Sequence, residues 1–120
     1  MTSTEANKAI IRSYFEEMWN TKNTALIKKL VAESYLHHSS DGKITHGRTH
    51  VENVVEKVYL AFPDIHWTIK LMVAENAMVA TYIEGDGTQI SDGVKMHFKE
   101  AFYHRIQDGQ IVEGWSLPVK

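Results

Sequence analysis

The sequence predicts an α+β fold. Apolar residues recur at three- and four-residue spacing through the first half and at every second residue through the second half. Near the end, Asp108-Gly109 is a two-residue turn signal, because both positions of that turn need φ > 0. Helices first and antiparallel strands after is the α+β order. A twisted sheet laid over helices wraps around them and leaves a pocket on its concave side.

The elements follow in order. Thr2 and Glu5 fit a capping box that opens the first helix. Ile10, Ile11, Tyr14, Phe15, Met18 and Trp19 form its apolar stripe. Asn20, Thr21 and Asn23 end it. A short second helix carries Leu26, Ile27, Leu30 and Val31 on one face. Turn formers follow, with a short strand at residues 35–38. Thr49 with Glu52 starts a third helix along Val51, Val54, Val55, Val58, Tyr59 and Phe62. Pro63 stops it, since the residue before a proline is pushed out of the helical region.

Strands come next. "HWTIKLMV" puts Trp67, Ile69, Leu71 and Val73 on one face. "AMVATYIE" puts Val79, Thr81 and Ile83 on one side, with Met78, Ala80, Tyr82 and Glu84 on the other. "GDGTQISDG" reads as turns that hold Gly85, Gly87 and Gly93. In the closing hairpin a two-residue turn pairs Ile106 with Ile111, His104 with Glu113, Phe102 with Trp115 and Glu100 with Leu117, all on one face. A three-residue loop with a bulge would shift that register by one and mix the faces. The two-residue turn separates apolar from polar better and is preferred. It opposes His104 to Glu113, and a carboxylate there raises a histidine pKa. Glu100 stands between Phe98 and Phe102, where a lone carboxylate costs free energy unless it is paired or solvated in a cavity.

With 120 residues the chain reads as one domain, residues 1–120. A formal net charge of −2 argues against nucleic acid or an anionic membrane as partner. The apolar runs are too short to span a bilayer. "MTSTEANK" lacks a signal-peptide layout, so a cytoplasmic location is expected. The absence of cysteine excludes disulfides and thiolate chemistry. The histidine spacings fit no metal site: His37 and His38 point apart on a strand, and His46 and His50 straddle a helix start. No metal or cofactor is expected.

Five segments in order, "YFEEMWN", "LVAESYLHHSS", "HGR", "AFPDIHWTI" and "FYHRIQDGQIVEGW", resemble the SnoaL-like polyketide cyclases of the nuclear transport factor 2-like superfamily. The resemblance covers nearly the whole chain. It implies a cone: a curved antiparallel sheet wrapped around three N-terminal helices, enclosing an apolar pocket. It also implies a homodimer through the outer sheet face. His38 matches the histidine of the family's Asp-His-Ser, close to where the isomerases place a base, and Trp19 matches a residue turned toward the pocket. Two departures stand out. The family's acid/base aspartate, three residues before Arg105, is here Phe102, which cannot transfer a proton. The histidine before the last tryptophan is here Gly114. The loop "GTQISDGVK" is also shorter than usual in the family.

The first function so expected is a cofactor-free enzyme moving protons on a hydrophobic, carbonyl-bearing small molecule, as an isomerase, cyclase or dehydratase does. His38 would be the base, and His104 oriented by Glu113, or else Glu100, the partner acid. Tyr14, Trp19, Tyr82, Phe102 and Trp115 would shape the pocket. The alternative is a non-catalytic ligand-binding or accessory domain on the same fold, which Phe102 favours. An epoxide hydrolase would need an Asp–Arg–Asp set on facing strands, and none is visible.

Overall fold

The computed structural model describes residues 3–117 and 119. Helix α1 (Thr4–Arg12) opens on Ser3, whose hydroxyl accepts from the Ala6 amide at 3.0 Å. The expected partner Thr2 lies outside the described residues. The helix continues as a π-helical stretch over Ser13–Trp19. In that wider coil residues five apart become neighbours. Tyr14 and Trp19 are thereby brought to the same side.

The second helix is shorter than its apolar pattern suggested. A 3-10 turn (Thr24–Leu26) leads into α2 (Ile27–Leu30). Val31 is the first residue of strand β1 (Val31–His38), where its branched side chain suits an extended backbone. Strand β2 (Ile44–His46) returns antiparallel to β1. Helix α3 spans Thr49–Ala61; its N-cap is Arg48 without a side-chain cap bond, so Thr49 sits inside the first turn rather than before it. Phe62, ahead of Pro63, has left the helix with φ −134° and ψ 78°.

Strands β3 (His66–Glu75), β4 (Met78–Thr88), β5 (Lys95–Gln107) and β6 (Gln110–Leu117) complete one six-stranded sheet. Its order is β2-β1-β6-β5-β4-β3, and β1 runs parallel to β6. The sheet curves without closing. The core joins Ile11, Phe15, Met18 and Trp19 from the N-terminal helix with Val51 and Val55 of α3 and Val79, Ile83, Ile106 and Ile111 of the sheet.

Two strand expectations change. Ile69 pairs with Ile83 but Leu71 with Tyr82, so Lys70 is an extra residue in β3. A bulge of this kind reverses the alternation beyond it. Trp67 and Ile69 therefore point in, whereas Leu71 and Val73 are 68% and 66% exposed and Met72 and Ala74 take the inner positions. Gly85 and Gly87 are also not in a turn. They lie within β4, facing in, because bulky groups rest on them. A Cβ at Gly85 would collide with the Trp67 ring, and one at Gly87 would stand 3.1 Å from Phe62 Cβ. Asn20 fixes the same tryptophan from behind: its Nδ2 donates to the Trp67 carbonyl and its Oδ1 accepts from the Trp67 amide, both at 2.8 Å.

Gly85→Ala should accordingly destabilise the fold by about 1–3 kcal/mol, the usual cost of overpacking a filled core. A urea titration followed by circular dichroism measures it.

Candidate functional site

The site depends on the closing hairpin. Its tip is the expected two-residue turn: Asp108 and Gly109 have φ 52° and 76°, and Gln107 pairs with Gln110 and Ile106 with Ile111. The next pair is Arg105 with Glu113, so Val112 is an extra residue. From there the register differs from the expected one. His104 faces Gly114, Tyr103 faces Trp115 and Phe102 faces Ser116. The inner face of β6 carries Gly114 and Ser116; Glu113 and Trp115 are turned outward.

A cavity of about 370 Å³ lies between the inner face of the sheet and the helices. Its walls are mostly apolar: Phe15, Trp19, Val51, Val58, Trp67, Ile83, Phe98 and Phe102. Tyr14, Tyr35, His37, His50, Glu100, His104 and Ser116 add polar groups.

Of the residues expected at the site, Tyr14, Trp19, Glu100, Phe102 and His104 line this cavity. His38, Glu113, Trp115 and Tyr82 do not. His38 follows the buried Tyr35 by three positions, and the strand's alternation turns it out. There its Nε2 lies 2.6 Å from Glu113 Oε2, and its ring stacks on Trp115 with centroids 4.7 Å apart. Arg105 Nε donates to the other Glu113 oxygen at 3.0 Å. Burial pushes the Glu113 carboxyl up, but the bonds from His38 and Arg105 outweigh it and hold it below the usual carboxylate range. Tyr82 also faces out and donates to Glu84 at 3.2 Å. Arg48 donates to the Val31 carbonyl at 3.3 Å and does not line the cavity.

Sequence reasoning passed over Tyr35, His37, His50 and Ser116. The signal for His37 was present, since it alternates with Tyr35 on the strand. Ser116 was hidden by the bulge at Val112. His37 bonds at both nitrogens, to the Tyr35 hydroxyl and the Ser116 hydroxyl, each at 3.1 Å. Its ring also stacks on His50 at 4.5 Å. Burial lowers the His37 pKa to about 4, with His50 and His38 adding to the effect. Gly114 belongs to this group as well: a Cβ there would collide with the Tyr35 hydroxyl and stand 3.1 Å from His104 Cδ2.

His104 is 4% exposed, and its Nδ1 is buried without a hydrogen-bond partner. Its ring stacks on Phe102, centroids 5.5 Å apart. Burial lowers its pKa to about 3, with a smaller contribution from His37. The expected rise from Glu113 is overturned, because that carboxylate is on the other face of the sheet. Burial pushes Tyr14 up to about 12, so its phenol keeps its proton. Glu100 pairs across the sheet with Ile83, and its carboxylate makes no hydrogen bond or ion pair with the described residues. Burial pushes its carboxyl up. Among the described residues no cluster of three or more His, Asp or Glu side chains suits a metal ion, and no helix is long and apolar enough to cross a membrane.

A curved six-stranded sheet holding helices and a cavity on its concave side defines a domain of the nuclear transport factor 2-like fold. The chain belongs to the SnoaL-like polyketide cyclase family, whose model matches residues 9–118. A search among curated proteins gives no match. Several solved structures share the fold. IdmH of Streptomyces antibioticus, a candidate polyketide cyclase, has a TM-score of 0.82 at 21% identity, over 92% of this chain and 90% of its own. AclR of Streptomyces galilaeus, a candidate hydroxylase, has a TM-score of 0.85 at 24% identity, over 96% and 79%. A SnoaL-like polyketide cyclase of Agrobacterium tumefaciens has a TM-score of 0.83 at 17% identity, over 100% and 94%.

The buried neutral His104 gives a testable acid response. Below its ordinary pKa of 6.5 the unfolded chain takes up a proton that the folded chain refuses until about pH 3. Stability should therefore fall as pH drops through that window, by up to about 1.4 kcal/mol per pH unit from this group. His104→Phe should flatten the slope of urea stability between neutral pH and about pH 5. An unchanged slope would mean that His104 titrates normally.

Proposed function

We propose that the protein is a cofactor-independent enzyme that moves a proton on a hydrophobic, carbonyl-bearing small molecule held in the cavity. The observation that carries this reading is Glu100: a carboxylate without a partner among the described residues, in an apolar cavity, with its pKa raised by burial. A desolvated carboxylate with a raised pKa is a stronger base than one in water, and such groups are a mark of catalytic sites. Glu100 takes the proton next to the substrate carbonyl. The C–H electron pair becomes the C=C bond of an enolate, and the charge moves to oxygen. Where a C=C adjoins that carbon the enolate is a conjugated dienolate, and returning the proton to its far carbon completes an isomerisation. Attack of the enolate carbon on a second carbonyl breaks that carbonyl's π bond, and the resulting alkoxide takes the proton back from Glu100 to complete a cyclisation. Tyr14, which keeps its phenol proton, is a donor at the same cavity. Phe102, between Glu100 and His104 on the inner face, is then a wall rather than an acid.

The family and fold support this class of chemistry and leave the substrate open. A second reading, a non-catalytic ligand-binding domain, is favoured by Phe102 at the position of the family's acid. The bicyclic ketone 2-tetralone, dissolved in D2O, separates the two. The wild type should accelerate exchange of its α-protons, and Glu100→Gln should lose the acceleration by about 100-fold or more while binding the ketone normally. Binding without exchange in the wild type would select the second reading.

We also propose a homodimer through the outer sheet face. Leu71, Val73 and Tyr103 are exposed there by 68%, 66% and 46%, and exposed apolar patches of this kind mark contact surfaces. Val73→Glu should convert the sedimenting species from dimer to monomer; an unchanged sedimentation coefficient excludes this face.

A further inference from the structure

Three cavity residues form a chain of hydrogen bonds whose direction can be worked out. Tyr35 Oη lies 3.1 Å from His37 Nδ1, and His37 Nε2 lies 3.1 Å from Ser116 Oγ. Tyr35 is 4% exposed, and burial keeps its phenol protonated. Among the described residues its hydroxyl bonds only to His37 Nδ1. A buried O–H needs an acceptor, so Tyr35 donates to Nδ1. A neutral imidazole carries one N–H, which then sits on Nε2 and donates to Ser116 Oγ. The opposite direction would strand the buried phenol proton. With Ser116 Oγ accepting from His37, the serine's own proton has no acceptor among the described residues, and Ser116 lines the cavity.

We propose that Ser116 is the hydrogen-bond donor to the carbonyl oxygen of the bound molecule, and that Tyr35 and His37 are positioning residues that turn its proton into the cavity. This deepens the reading of the cavity as a carbonyl-binding site and rests on it. The placement suits the chemistry. Ser116 pairs with Phe102, so Glu100 is its diagonal neighbour on the inner face. Such neighbours stand about 7–8 Å apart. A carbonyl oxygen at Ser116 then puts the adjacent carbon within reach of the Glu100 carboxylate. As charge builds on that oxygen, each bond of the chain strengthens the next. A neutral relay of this kind stabilises an enolate without carrying a buried cation into the site.

Imidazole nitrogen NMR of the free protein reads the tautomer of His37. The expected result is Nε2–H in the wild type and loss of that preference in Tyr35→Phe; Nδ1–H in the wild type overturns the proposal. Binding is then titrated with 2-tetralone and with tetralin, the matching hydrocarbon. Ser116→Ala should weaken 2-tetralone about five- to tenfold and leave tetralin within about twofold. Equal 2-tetralone binding by Ser116→Ala and wild type overturns the donor role and leaves the cavity reading standing. A wild type that binds neither probe overturns both.

Discussion

One extra residue in β6 decides what the cavity is made of. Val112 has no partner on β5, and past it every side chain of β6 changes face. Without that bulge Glu113 and Trp115 would line the wall, and the cavity would hold a carboxylate and an indole. With it the wall receives Gly114, which makes room for the Tyr35 hydroxyl and the His104 ring, and Ser116, which ends the hydrogen-bond chain. Bulges beside active sites commonly re-aim side chains in this way. Here the displaced Glu113 is used on the outer face, where it joins His38 and Arg105.

The same change sets the electrostatics. His37 and His104 are held neutral by burial, Tyr14 and Tyr35 keep their protons, and Glu100 is the carboxylate among them. A charge inside an apolar enclosure is costly unless paired. The interior therefore consists of neutral donors and acceptors around one ionisable acid. Such a site favours charge that appears on a bound molecule, because preoriented dipoles in a dry space act strongly and need little reorganisation. The ionic groups at the outer face answer to solvent instead.

Much of the architecture could be read from the sequence, because periodicity reports burial directly. The helix stripe from Ile10 to Trp19, the alternation of β4 and the Asp108-Gly109 turn all left clear patterns. Two single-residue insertions did not. A bulge at Lys70 or Val112 leaves no mark in composition, since each is an ordinary strand residue, yet it reverses everything beyond it. That is why Leu71 and Val73 were expected inside, and why Glu113 and Trp115 were assigned to the pocket. The choice of His38 over His37 has another cause. It follows the resemblance to the family's Asp-His-Ser, whereas the alternation from Tyr35 points to its neighbour. Gly85 and Gly87 looked like turn residues because a glycine that admits a tryptophan ring cannot be told by sequence from one that bends the chain.

The parallel pairing of β1 with β6 has a consequence for how the chain is made. Strands β1 and β2 join the rest of the sheet only through β6. On a ribosome, the edge of β1 that takes β6 waits until residues near 117 have emerged. His37 and Ser116, 79 positions apart, can meet only then. Contacts of such long range slow folding and expose edges in the meantime. The short β2 folds back on the other edge of β1 as an antiparallel partner, so the waiting strand has one edge covered locally while the edge that will take β6 stays open until the end.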